Sequence, residues 1–181
     1  MNKKQLLTML IPVFILLAMT VIPLKTLSLG TEILLETRPV DPRDLFRGDH
    51  VILSYKIEEI EIEKMDAALK EKLVTLTTGS YPYNKNLYVN LKKQSNGVYV
   101  ADYVSEDKPS NNELYMKGKF QYLSSMGSPS ETKVILSYNI DKYFVPENTG
   151  MELEEAARKG EVLAKVKISN GYAMLTELVL P

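Results

Sequence analysis

The five residues Val51-Ile52-Leu53-Ser54-Tyr55 recur unchanged as Val134-Ile135-Leu136-Ser137-Tyr138, and Ile57 is matched by Ile140. A β-branched run that ends on an aromatic residue reads as a buried strand. What surrounds it follows in the same order both times. An apolar stretch precedes each copy, Thr31 to Thr37 and Leu114 to Leu123. A helix-like stretch follows each copy. In residues 63–73, Met65, Leu69 and Leu73 fall four apart on one face. In residues 150–160, Thr149 and Glu152 have capping-box spacing, and Gly160 supplies a stop. Glu154 with Arg158 and Glu155 with Lys159 add i,i+4 pairs in the favourable orientation.

Each helix leads into a hairpin tipped by Asn-Gly, a dipeptide suited to the positive φ angles of a type I′ turn. The first runs Leu87 to Gln94, Asn96-Gly97, Val98 to Val104, and the second Val162 to Ser169, Asn170-Gly171, Tyr172 to Val179. In the second, Val162, Ala164, Val166 and Ile168 alternate with Lys165, Lys167 and Ser169, so one face is buried and one is wet. The expectation is a mainly β (α+β) domain over residues 30–181. It would hold two strand-loop-strand-helix-hairpin repeats, 31–104 and 114–180, joined by the polar linker 105–113 that contains Pro109. About eight strands and two short helices would share one core, because half a repeat has too little apolar surface to bury its own sheet face. Barrel-like and sandwich-like packings both satisfy the periodicity.

Ahead of this domain, Asn2-Lys3-Lys4 precede an uncharged run from Gln5 to Leu24, closed by Lys25. Twenty helical residues rise roughly 30 Å, the thickness of a hydrocarbon core. A cleaved secretory signal shares this general shape. However, the run exceeds a typical signal core, and Thr26-Leu27-Ser28-Leu29-Gly30 lacks small residues at cleavage-site spacing. Pro12 and Pro23 are better tolerated in a membrane helix than in a soluble one. Residues 1–29 are therefore expected to form a cytoplasmic tip and a single transmembrane anchor. The lysines before the run keep the N-terminus cytoplasmic and put the domain outside the membrane.

Composition excludes several functions. The formal net charge of -1 gives no polyanion-binding surface, so no nucleic-acid partner is expected. With no cysteine there are no disulfides, thiolate nucleophiles, thiolate-bound zinc or lipid-modified cysteine anchors. A single histidine rules out a His-rich metal site. No metal and no cofactor is expected. The chain carries no G-x-S-x-G elbow, phosphate loop or H-E-x-x-H. Ser125-Met126 and Gly48-Asp49 share dipeptides with serine-lysine signal peptidases, but in reversed order and without a lysine base. No catalytic set is assigned.

The remaining candidate is the loop before the first VILSY strand, Arg38-Pro39-Val40-Asp41-Pro42-Arg43-Asp44-Leu45-Phe46-Arg47-Gly48-Asp49-His50. As a rigid turn it is well made: the prolines force extended conformation on Arg38 and Asp41, and Asp-Pro and Gly-Asp are turn dipeptides. Its arginines and aspartates can satisfy one another at the surface. The equivalent loop of the second half, Ser124-Ser125-Met126-Gly127-Ser128-Pro129-Ser130-Glu131-Thr132, turns the chain with small polar residues. That contrast favours a recognition role for the charged version, with Arg43 and Arg47 offering planar guanidinium groups to a carboxylate or phosphate. The candidate binding residues are Asp41, Arg43, Asp44, Arg47, Gly48, Asp49 and His50, with Tyr55 at the end of the strand they lead into. The alternative is a carboxylate-dependent hydrolase using residues 41–50. It is weakened because Asp49 and His50, adjacent on a strand, point to opposite faces.

Gly48-Asp49-His50-Val51-Ile52-Leu53-Ser54-Tyr55 resembles G-D-Y-x-x-L-x-Y, the motif that names the GDYXXLXY protein family. The leader Arg38 to Arg47 and the segment Lys142-Tyr143-Phe144-Val145-Pro146-Glu147 with the helix after it are similar as well. The departure is His50 in place of tyrosine, which keeps an aromatic hydrogen-bonding group but no phenol. The resemblance spans nearly the whole chain. It implies membrane anchoring, an extracytoplasmic domain and association with a multipass membrane protein, and it brings no enzymatic activity. The function expected is a membrane-anchored binding or assembly module of an envelope complex, partnered by another integral membrane protein.

Overall fold

The computed structural model describes residues 3–39, 50–75, 86–109, 113–124, 132–144, 155–156 and 159–180. The chain opens with a helix, α1 (Lys3–Leu29), that runs through both prolines. Its segment Thr8–Leu29, with mean hydropathy 2.2, is long and apolar enough to cross a membrane. Phe14, Leu16 and Met19 are each exposed by more than three-fifths, so this helix does not serve as a core element of the domain. Thr20 satisfies its hydroxyl internally, donating to the Leu16 carbonyl at 2.8 Å.

Gly30 joins α1 to the domain without a linker. Its N–H donates to the Thr26 carbonyl at 2.9 Å. A Cβ here would lie 2.3 Å from that same oxygen, so only glycine lets the helix end and the next strand begin at once.

That strand is β1 (Thr31–Arg38). It buries Ile33, Leu35 and Thr37 in strict alternation. After the charged loop come β2 (His50–Ile52) and β3 (Ser54–Tyr55), one run interrupted at Leu53, whose N–H turns to the Asp141 carbonyl at 2.8 Å. Two short 3-10 turns flank β4 (Glu59–Glu61) and lead to α2 (Ala67–Thr75). The sequence places that helix over 63–73; it begins later because Asp66 caps it, its Oδ1 accepting the Leu69 N–H at 2.7 Å. Met65 instead makes a strand-like bridge to Val104.

The remaining strands are β5 (Asn86–Lys93), β6 (Tyr99–Ser105), β7 (Tyr115–Ser124), β8 (Lys133–Ser137), β9 (Lys142–Phe144), β10 (Leu163–Ser169) and β11 (Tyr172–Val179). The domain is mainly β. One sheet has the order β11-β10-β1-β3, and β2 pairs with β9 in a small two-stranded sheet. The other has the order β6-β5-β7-β8-β4. Each of the two larger sheets has a hairpin at one edge, then a long strand, then a strand carrying VILSY residues. In each of them the hairpin comes from one half of the chain and the next two strands from the other half. Bridges from Leu34 to Val98 and from Met116 to Gly171 join the sheets at two corners, giving barrel-like curvature.

Residues of both halves form one core, with Leu35, Tyr55, Leu69, Leu87, Met116, Leu136 and Val166 among its members. The hairpin tips differ from one another. Ser169 pairs with Tyr172, and Asn170 (φ 51) and Gly171 (φ 78) make the expected two-residue turn with positive φ at both positions. The first hairpin departs from type I′. Its ladder ends at Lys93–Tyr99, Gly97 alone has positive φ, and the Gly97 N–H donates to the Gln94 carbonyl at 3.0 Å. The Gln94 N–H also donates to the Val98 carbonyl at 2.8 Å, so the strands stay paired up to a three-residue loop that closes on a glycine bulge. Of the second helix-like stretch, Glu155, Ala156 and Lys159 are helical, and Lys159 pairs with Glu155 at 3.0 Å. Thr149, Glu152, Glu154 and Arg158 lie outside the described residues.

Candidate functional site

The charged loop springs from two strand ends that the sheet fixes. Arg38 at the end of β1 pairs in register with Ser54, and His50 at the start of β2 pairs with Phe144. Asp41, Arg43, Asp44, Arg47, Gly48 and Asp49 lie outside the described residues. The first residue beyond β1, Pro39, is packed against Gly160: a Cβ on Gly160, at φ +69, would be 2.8 Å from the proline Cδ. The stop of the second helix-like stretch therefore touches the start of the loop.

At the base of the loop sits an ion-pair cluster. Arg38 pairs with Glu59 through one guanidinium nitrogen and lies 4.0 Å from Glu58 through the other. Lys133 on β8 adds a second cation to Glu59 at 3.1 Å. Lys56 pairs with Glu36 of β1 at 2.6 Å. So Arg38, one of the arginines of the charged segment, is engaged in joining β1 to the turn after the VILSY strand. Sequence reading missed Glu58 and Glu59. Their signal was two consecutive carboxylates immediately after Lys56-Ile57, where an arginine across the sheet needs a counter-charge.

Glu58 is the chemically distinctive member. Its side chain is only 13% exposed. Burial pushes its carboxyl pKa above the ordinary glutamate value, and Asp141 adds to that. Hydrogen bonds from the Tyr55 backbone and the Ser54 side chain, and the Arg38 charge, pull the other way without winning.

Tyr55 belongs to the core. It is fully buried, and its hydroxyl donates to the Ile140 carbonyl at 2.5 Å. Desolvation raises its pKa far above the tyrosine range, so it stays a neutral donor. It ties the end of β3 to the turn after the second VILSY strand. Among the described residues, no group of three or more histidine, aspartate or glutamate side chains is arranged to hold a metal ion.

The family model described as GDYXXLXY protein matches residues 12–178, and the chain belongs to that family. No curated protein and no solved structure matches the chain.

Proposed function

We propose that this member of the GDYXXLXY family is a single-pass, membrane-anchored binding or assembly module of an envelope membrane complex. Its N-terminus would be cytoplasmic, its domain extracytoplasmic, and its partner another integral membrane protein. The observation that carries the reading is the mounting of the charged loop. The loop leaves and rejoins the domain at strand ends held in register, while Arg38 is already consumed by Glu58 and Glu59. A rigid frame under a charged loop is what a recognition surface needs, because little order remains to be imposed on binding.

The domain in this reading is built from two interleaved copies of one unit. Support comes from the matching strand orders and from register: Thr37 lies between Val162 and Tyr55, as Gly118 lies between Leu87 and Tyr138. A second reading, a carboxylate-dependent hydrolase using residues 41–50, draws on Glu58, whose raised pKa suits a general acid beside the loop.

Two measurements test the first reading. A reporter active only outside the cytoplasm, fused after Pro181, should be active and remain with the membranes. A photo-crosslinker at position 43 or 47 should capture one integral membrane protein in native membranes, and the same probe at Lys92 should not. A secreted soluble fusion, or equal capture from all three positions, counts against it. Glu58→Gln separates the two readings, since only a hydrolase loses turnover with capture intact.

A further inference from the structure

A groove of about 640 Å³ opens where α1 meets the domain. Its walls come from the last turns of α1, from β7 and from the tip of the β10–β11 hairpin. Three lysines line it, Lys25, Lys117 and Lys119. Among the described residues no carboxylate lines it, and none of the three lysines has an ion-pair partner. This is unlike Lys56, Lys70, Lys72, Lys133, Lys159 and Lys165, each of which pairs with a glutamate. Lys117 and Lys119 are exposed on one face of β7 because buried Gly118 lies between them.

The height of this groove decides its occupant. Val21 and Ile22 line it together with Lys25, and the helix ends at Leu29. Val21 lies roughly 12 Å below that end at the helical rise. The lysines therefore sit where the uncharged run of α1 ends at Leu24, level with the headgroup layer of a bilayer spanned by Gln5–Leu24. Thr26 also lines the groove, and its buried hydroxyl has no hydrogen-bond partner. The helix end is held in this position, since Lys167 of β10 donates to the Leu27 carbonyl at 2.6 Å and Gly30 allows no spacer.

We infer that this groove binds the headgroup phosphate of an anionic phospholipid in the leaflet from which α1 emerges. The acyl chains would lie along Val21 and Ile22 and the phosphate between Lys25, Lys117 and Lys119. A concentration of positive charge with no paired carboxylate among the described residues, placed at headgroup depth beside apolar helix surface, matches both ends of such a lipid. The binding orients the domain on the membrane and fixes which face it presents to a partner in the same bilayer. The inference rests on the membrane-spanning reading of α1.

The test uses the full chain in neutral detergent, with bound lipid read by native mass spectrometry. Dioctanoyl phosphatidylglycerol, dioctanoyl phosphatidylcholine and inorganic phosphate are titrated in turn. One phosphatidylglycerol should bind, phosphatidylcholine more weakly, and phosphate should neither bind nor compete. K117Q/K119Q should weaken phosphatidylglycerol binding about tenfold or more. K92Q/K93Q makes the same charge change at the other end of β5, roughly 20 Å from Asn86 in the groove wall, and should leave binding unchanged. Equal affinity for the two lipids, a K117Q/K119Q variant that binds like the parent, or competition by phosphate each overturns the inference. The same spectra give the intact mass. A chain shortened by loss of α1 overturns the membrane-spanning reading instead, so the two failures are distinguishable.

Discussion

Tyr55 and Tyr138 hold one another's strands: the Tyr55 hydroxyl donates to the carbonyl of Ile140 at 2.5 Å, and the Tyr138 hydroxyl donates to the carbonyl of Ile57 at 2.9 Å. Each phenol ends a VILSY strand, and each acceptor lies two residues past the other phenol. Both rings are buried, so each bond closes a polar gap that water does not reach. The two sheets are thus joined through their VILSY strands by a reciprocal pair of side-chain bonds.

Tyr55→Phe and Tyr138→Phe should each destabilise the full chain by about 1–3 kcal/mol, the cost of leaving one buried carbonyl unpaired. The two losses should be similar, and circular-dichroism melts of the protein in detergent measure them. Alkaline pH gives an independent check. Burial raises both phenol pKa values in the fold, so the stability these residues contribute is complete below the ordinary value of 10.0 and falls as pH rises past it. Above that pH the unfolded chain releases protons that the folded one keeps. Each phenylalanine variant should therefore lose less stability between pH 9 and 11 than the parent, by about half a proton's worth of slope averaged over that range. An unchanged slope would remove the phenols from the buried network.

The glycines of the two hairpin tips should respond unequally to alanine. Gly97 has φ +88 with nothing within 4 Å of a built Cβ, so Gly97→Ala meets only the left-handed backbone cost of about 1–2 kcal/mol. Gly171 has φ +78, and a Cβ there would lie 2.5 Å from Cε2 of Tyr115. That ring cannot easily retreat: its hydroxyl donates to Asn170 at 2.8 Å and its edge packs on Tyr88 with centroids 5.6 Å apart. Gly171→Ala should cost clearly more than Gly97→Ala in the same melting measurement, and equal losses would show that the Tyr115 contact yields freely.

Glu58 predicts an effect at the acid end. Its carboxyl pKa is raised mainly by burial, so the folded state holds the proton more tightly than the unfolded chain does. Its contribution is then fully present below the ordinary value of 4.5 and is lost as pH rises through the higher folded value. Glu58→Gln removes that dependence. The difference in melting temperature, variant minus parent, should increase as pH rises from the ordinary value through the raised one and then level off. A difference that shrinks over the same range would mean that the Arg38 attraction outweighs desolvation.

Much of the fold can be read in the chain because its causes are local. Alternation in β1 and β10, the Asn170-Gly171 turn and the unbroken apolar run of α1 each depend on neighbours a few residues away. The start of α2 differs from the sequence reading because Asp66 is a better cap than the apolar spacing suggests, and Met65 is drawn to β6. What local pattern cannot express is partner choice. β1 pairs with β10 across more than a hundred residues, Thr31 opposite Ile168, and nothing in either strand's alternation names the other. The same limit hides the base of the loop. In the sequence Arg38 is equivalent to Arg43 and Arg47, and only the fold sets Glu58 and Glu59 beside it. Tyr55 likewise reads as available in the sequence, and only the fold carries its hydroxyl to Ile140.

The arginines of the opening segment should therefore separate by mutation. Arg38→Gln leaves Glu59 to Lys133 alone and leaves Glu58 without its cation. Because the arginine is about one-third exposed, the loss should be modest, up to about 1 kcal/mol. Partner capture should fall only as far as the strand end loosens. Arg43 and Arg47 are proposed to meet a partner's carboxylate or phosphate, where a lost bidentate contact costs more because the abandoned charge stays desolvated. Arg43→Gln with Arg47→Gln should leave the melting temperature nearly unchanged and weaken capture in native membranes at least tenfold, roughly 1.4 kcal/mol. The order of effects is the decisive outcome: stability tracks Arg38 and capture tracks the other pair. A double variant that melts far below the parent would return the loop to a purely structural role, and one that folds and captures normally would move the binding surface elsewhere on the domain.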